Sequence, residues 1–157
     1  MVFARRRFDP QPTAQAAVLL ATTGEPFSKA AIRRARELAA GEPVAVLSIL
    51  KVYGSQWGLP NPGLLPTRKE RDQGLAVVQR AITSLERQGG TADGQVAATR
   101  SAGRTIAKVA RVRKVRYVVM DEPDQSGMGR VTQGGVLAAV RRGLRSRAEL
   151  ELVVGHP

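Results

Sequence analysis

The stretch VVMDEPDQSGMGR, residues 118–130, gathers side chains that could do chemistry. Three carboxylates, Asp121, Glu122 and Asp124, follow directly on an apolar run, and Gly127, Gly129 and Arg130 come after them. A strand ending in such a loop would place it where open α/β sheets bind ligands. The clustered acids suit either a divalent cation held by oxygen atoms or plain solvation beside nearby arginines. Solvation is favoured, because two or three acids without a fixed ligand geometry are a weak metal signal. The glycines and the arginine suit a phosphate, which backbone N–H groups can approach closely where no side chain intervenes. The two chemistries oppose each other. A carboxylate about 5 Å from a phosphate charge, at an effective dielectric near 20, repels it by roughly 3 kcal/mol. A magnesium ion bridging Asp121 and Asp124 to a triphosphate would reverse that sign.

Other reactive constellations are missing from the sequence. It has no phosphate loop of the G-x-x-x-x-G-K-[ST] type, no G-x-G-x-x-G opening a helix and no G-x-S-x-G elbow. A phosphoryl-accepting receiver domain needs acids after its first strand, and Leu20-Ala21-Thr22-Thr23 supplies none. There is no cysteine, which excludes thiolate metal sites, disulfides and a cysteine nucleophile, and the single histidine is His156. A histidine so placed lacks the fixed geometry that general-base catalysis requires. No catalytic activity and no metal site are expected.

The elements that would position these residues alternate between two periodicities. Residues 16–22 (AAVLLAT) form a short apolar run ending at Thr23-Gly24 and predict a buried strand. Ile32, Ala35, Leu38 and Ala39 recur at helical spacing within residues 27–40, and Gly41 is placed to stop that helix. Residues 43–52 (PVAVLSILKV) predict the second strand. A Pro/Gly-rich loop, residues 53–66, holds Trp57, which would pin its own loop or cover a ligand. Thr67 and Glu70 have capping-box spacing before a helix with Leu75, Val78, Ile82 and Leu85 on its buried stripe, ended by Gly89-Gly90. Residues 95–99 predict a third strand. A third helix opens at Ser101 or Ala102, with Ile106 and Val109 inward and Lys108, Arg111 and Arg113 on its surface. Residues 115–120 predict the fourth strand, 132–147 the fourth helix with Leu137, Val140 and Leu144 inward, and 149–154 (ELELVV) the last strand. Strict alternation implies one α/β domain: an open parallel five-stranded sheet wound by right-handed crossovers, with helices on both faces. The domain is expected over residues 15–155, behind a flexible basic tail at 1–14.

With 157 residues, 43% of them hydrophobic and 24% charged, the chain matches a single globular domain with a real core. No run has the roughly 18–20 apolar residues of a membrane span, and MVFARRRFDPQPTAQ lacks the apolar core of a secretory signal. A cytoplasmic protein is expected. The net charge of +12 is lopsided: residues 100–147 hold twelve basic residues and three acids, nine of the net twelve charges. Such a bias favours anionic ligands or partners. Nucleic acid stays open but disfavoured, because no aromatic platform or reader motif accompanies the charge. Arg141, Arg142, Arg145 and Arg147 gather on the outer part of the fourth helix, as a solvated face or an anionic-partner site.

From residue 16 to about 155 the chain resembles the universal stress protein family. VLLATTGEPFSKAAIRRARELA is similar to that family's first strand, turn and helix, and LSILKV to its second strand. RSAGRTIAKVARVRKVRYVVM resembles its third helix and fourth strand, and QSGMGRVTQGGVLAAVRRGL aligns without a gap on its loop and fourth helix. The resemblance implies a Rossmann-like sheet of the adenine nucleotide alpha hydrolase type in the order 3-2-1-4-5. It also implies a homodimer through the last strand, residues 149–154.

ATP-binding members of the family carry an Asp after the first strand, and Gly-x-x-Gly, nine residues, then Gly-Ser or Gly-Thr after the fourth. On this chain the Asp falls on Thr23, the first two glycines on Asp121 and Asp124, the last on Gly134, and the hydroxyl residue on Gly135. One position of the five matches. The implied function is a non-catalytic binding or regulatory module whose usual ATP site is lost or altered, with no cofactor. The alternative is a member that still holds ATP, another adenine nucleotide or a phosphorylated ligand. Thr22, Thr23, Gly24, Val52, Gly127, Gly129, Arg130, Gly134 and Gly135 would then line the site. A further alternative uses the Arg-rich surface on nucleic acid or an acidic protein.

Overall fold

A computed structural model describes residues 14–52, 65–123 and 128–154, without the side chains of 128–134. The basic tail at 1–13, Trp57, Asp124, Gly127 and His156 lie outside the described residues. Five strands, β1 (Val18–Thr22), β2 (Val44–Lys51), β3 (Ala92–Thr99), β4 (Tyr117–Asp121) and β5 (Glu149–Val153), alternate with four helices. These are α1 (Lys29–Ala39), α2 (Arg68–Arg87), α3 (Ala102–Val112) and α4 (Met128–Leu144). The strands form one parallel sheet in the order β3-β2-β1-β4-β5, as expected.

The central strands are apolar because they are covered twice. Every residue of β1 is buried. Leu19, Ala21, Leu47, Ile49 and Val118 point to one face, where α3 and α4 contribute Ile106, Ala107, Leu137, Val140 and Leu144. Val18, Leu20, Val46 and Val119 point to the other, where α1 and α2 contribute Ile32, Ala35, Val78, Ile82 and Leu85. α1 and α2 therefore lie on one side and α3 and α4 on the other, so the chain changes face between β1 and β4.

Local chemistry sets the helix ends. The Thr67–Glu70 capping box forms in full: Thr67 Oγ1 accepts from Glu70 N at 3.2 Å, and Glu70 Oε2 accepts from Thr67 N at 2.7 Å. α1 ends with Ala40 in the left-handed region at φ 49°, followed by Gly41 at φ 88°. The helices approach their neighbours through glycines. A Cβ on Gly94 of β3 would collide with Val78 of α2, and one on Gly103 of α3 would lie 2.5 Å from Ala139 Cβ and 2.6 Å from Val136 O.

Four expectations need correction, the first being the third strand: β3 begins at Ala92 rather than at residue 95, because residues 92–94 already pair with Val44, Ala45 and Val46 of β2. Leu75 is 39% exposed, because the inward stripe of α2 runs through Gly74, Val77, Val78, Ala81, Ile82 and Leu85. Gly74 takes the inward place, its α-carbon facing Leu50 and Val96. Arg113 is not on the helix surface; it is 1% exposed. Its Nη1 and Nη2 donate to Asp93 Oδ1 and Oδ2 at 2.8 and 2.6 Å, and its Nε donates to Ala14 O. That bidentate pair satisfies the guanidinium and ties the start of β3 to the segment entering β1. Finally, α4 begins at Met128 rather than Thr132 and ends at Leu144 rather than Arg147. The helix runs through Gly129, which costs about 1 kcal/mol relative to Ala. Arg145 and Ser146 have φ of 48° and 63°, so the helix has already ended there.

Candidate functional site

In an open parallel sheet the carboxyl ends of two neighbouring strands splay a crevice where the chain changes face. Here that crevice lies between β1 and β4, and the sequence-predicted residues are distributed around it. Thr22 closes β1, and its Oγ1 donates to Glu25 O at 2.7 Å, tightening the turn that follows. Gly24 has φ 104°, a conformation that a side chain would strain, and its α-carbon faces Ile49 O of β2. The turn therefore leans over the end of β2. Val52, half-buried just beyond β2, is held by its N–H to Thr99 O at 3.0 Å. At the end of β3, Thr99 Oγ1 accepts from Ser101 N and from Thr105 Oγ1, each at 3.0 Å.

Asp121, the last residue of β4, crosses the crevice. Its Oδ2 accepts from Ser28 N at 2.9 Å, and its Oδ1 accepts from Ser28 Oγ. Ser28 is the N-cap of α1: its backbone is extended and its Oγ accepts from Ala31 N at 3.0 Å. One carboxylate thus takes two donors at the start of a helix whose free N–H groups and dipole favour negative charge. Asp121 was expected to be a solvated loop carboxylate; it is half-buried and tethered to α1. Glu122 fits the solvated description and is exposed. Its N–H continues the ladder to Val153 O at 2.7 Å. Among the described residues no group of three acids or histidines is arranged to hold a metal ion.

A second tie joins α1 to the sheet. Arg34 donates from Nε and Nη2 to Glu151 of β5 at 3.3 and 3.2 Å, and from Nη1 to Glu37 at 3.4 Å. The hydrogen bond to Glu151 raises the pKa of the guanidinium above its ordinary value. The element N-terminal to the crevice is therefore fixed against both β4 and β5.

The glycines divide. Gly129 and Arg130 lie in the first turn of α4, where backbone N–H groups have no partner within the helix. Gly134 and Gly135 lie six and seven residues after Met128, roughly 9–10 Å along the axis from the helix start, where N–H groups bond to carbonyls of the same helix. Gly135 is exposed and a Cβ there would meet nothing within 4 Å. The early start of α4 thus moves its phosphate-ready end from Gly134 and Gly135 to residues 128–131.

Sequence reasoning missed two participants. Ser28 is an ordinary helix N-cap by type, and nothing local shows that it would meet residue 121. Ser48 of β2, in register beside Thr22, is fully buried, and its Oγ has no hydrogen-bond partner among the described residues.

Several solved proteins have this architecture. A universal stress protein from Archaeoglobus fulgidus superposes with a TM-score of 0.61 at 16% identity, over 87% of this chain and 97% of its own. A universal stress protein from Archaeoglobus fulgidus in complex with dAMP gives 0.60 at 15% identity, over 87% and 96%. A universal stress protein in complex with cAMP gives 0.52 at 19%, over 91% and 99%. At these identities the likeness is one of fold. No curated protein matches the chain by sequence. The model of the universal stress protein family, however, matches residues 16–145, spanning the sheet through β4 and all four helices. The chain belongs to the universal stress protein family.

Proposed function

We propose that this domain is a non-catalytic binding or regulatory module in which the family's usual ATP site has been altered. The observation that carries the proposal is the Asp121–Ser28 tether across the β1–β4 crevice. A carboxylate stands where the resemblance places the first phosphate-loop glycine, and it is bonded to the helix that faces it. A triphosphate would have to share that space with a fixed negative charge, at a cost on the order of a few kcal/mol. The position of Gly134 and Gly135 inside α4 supports the same conclusion, since their N–H groups are committed to the helix. Isothermal titration calorimetry with millimolar Mg-ATP tests it: no binding heat is expected, and a micromolar Kd refutes the proposal.

A second function is a smaller adenine nucleotide held by Thr22, Thr23, Gly24 and Val52, with its phosphate at Gly127, Gly129 and Arg130. In its favour, relatives of the same fold have been solved with dAMP and with cAMP. Mass spectrometry of the denatured extract from purified protein distinguishes the two, because only the second predicts a co-purifying nucleotide. We further infer a cytoplasmic homodimer joined through β5. Glu149 N donates to Arg116 O and Val153 O accepts from Glu122 N, so alternation turns the peptide groups of Leu150, Leu152 and Val154 away from β4. An edge with unpaired backbone groups is one that a second copy can complete.

A further inference from the structure

The outer face made by α3 and α4 carries charge of one sign only. Neither helix contains a carboxylate. They run in the same direction and in close contact, Gly103 against Val136, Ala139 and Val140, and Gly143 against Ala107. The glycines let the two helices approach closely, so their solvent faces adjoin. Arg104, Lys108 and Arg111 are exposed along α3, and Arg141, Arg142 and then Arg145 along the end of α4. None of these six forms an ion pair among the described residues; the described pairs use Arg34, Arg113 and Arg116.

Helix-dipole compensation accounts for part of this charge only. Arg111, Arg141 and Arg142 sit in last turns, where a cation is favourable. Arg104 sits in the first turn of α3, where a cation opposes the dipole, and no acid accompanies it there. Lys108 lies between the two ends. Unneutralised like charges on one layer disfavour the compact state, and a bound polyanion removes that repulsion.

The chemistry of the face selects among polyanions. Among the described residues its large exposed apolar side chain is Val112, at 45%, and its helices contain no aromatic residue. Protein interfaces bury aromatic and aliphatic anchors at a centre depleted of charge, the reverse of this surface. Membrane-surface helices insert a stripe of large apolar residues, and among the described residues of this face Val112 stands alone. Single strands are held by stacking on aromatic side chains. A rigid duplex needs only cations in rows. The row on α3 spans about 10 Å from Arg104 to Arg111, and the exposed Arg142 of α4 adjoins Gly143, which meets Ala107 of α3. We propose that the α3–α4 face binds the phosphate backbone of double-stranded nucleic acid without reading its sequence. The cations concentrate toward the carboxyl ends of both helices, at the end of the sheet where the strands begin and away from the β1–β4 crevice, so this function does not depend on what the crevice holds.

Fluorescence anisotropy of the full chain with a labelled mixed-sequence duplex tests the proposal. Four to five phosphate contacts give a slope of log K against log salt near −4, so affinity should fall on the order of 300-fold between 50 and 200 mM salt. The variant Lys108→Gln, Arg111→Gln, Arg142→Gln should lower that slope by about 2.7 and weaken binding at least about tenfold. The control Arg68→Gln, Lys69→Gln, Arg71→Gln removes the same charge from the exposed first turn of α2 and should leave binding within about twofold. Circular dichroism and urea midpoints establish that both variants are folded. Equal loss in the two variants, tighter binding of a single strand than of duplex, or binding to phosphatidylglycerol vesicles or polyglutamate but not duplex would each overturn it.

Discussion

Replacing Asp93 by Ala leaves the Arg113 guanidinium buried without its anion, and this should be among the most damaging single changes in the domain. The structure supplies the magnitude. Arg113 is 1% exposed, so water cannot replace the two bonds of 2.8 and 2.6 Å that Asp93 provides. Breaking a buried pair by removing one partner costs about 3–5 kcal/mol. Because the Asp93 side chain is 30% exposed, some solvent reaches the gap, and the lower end, about 3 kcal/mol, is expected. In a domain of this size that corresponds to roughly 6–12 °C in Tm. Arg113→Met should be milder, about 1–2 kcal/mol, since Asp93 can then turn to water and a flexible apolar chain fills the space. The double variant should be more stable than Asp93→Ala alone, which gives the pair a measurable coupling energy. Urea unfolding followed by circular dichroism reads all three. An Asp93→Ala loss below about 1 kcal/mol, or one smaller than that of Arg113→Met, would refute the assignment of a buried, dependent charge.

Gly103→Ala should destabilise by about 1–3 kcal/mol, because its Cβ meets Val136 O and Ala139 at the α3–α4 contact, whereas Gly135→Ala should stabilise by about 0.5–1 kcal/mol; thermal melts would show opposite shifts. Ser28→Ala should cost about 1–2 kcal/mol through loss of the α1 cap and of one donor to Asp121, with Asp121→Asn costing less, since an amide oxygen still accepts; urea midpoints check the order. Val154→Pro, at a residue 58% exposed and outside the β4 ladder, should convert a dimer to monomer in sedimentation equilibrium with little change in monomer stability.

How far the site could be read from residue types depended on whether its determinants were local. The strand ends carrying Thr22, Val52 and Asp121 were placed by the alternation of β-branched runs with helical stripes. The capping box at Thr67 needs only a spacing of three. The start of α4 was misplaced because Gly127 and Gly129 were read as a phosphate-binding loop, whereas residue 129 lies in the first turn of the helix. Leu75 and Gly74 exchanged roles because a hydrophobic stripe read by residue type passes over a glycine, even where contact with Leu50 and Val96 leaves room for little else. Arg113 was read as surface because charge ordinarily means solvent. Its partner Asp93 lies on β3, 20 residues earlier, and only the fold shows that the two meet.

By itself the sequence determined the class of architecture, the order of the strands through the family resemblance, and the strong positive charge of its second half. These follow from periodicity, turn chemistry and composition, all of which are local or additive. The tertiary structure alone decided the fate of individual charges. It turned Asp121 into a tie to Ser28, 93 positions away in the chain, sank Arg113 onto Asp93, and left the cations of α3 and α4 together on an acid-free face. A charge acts through whatever stands within a few ångströms of it, and for these residues the chain brings those neighbours from distant positions.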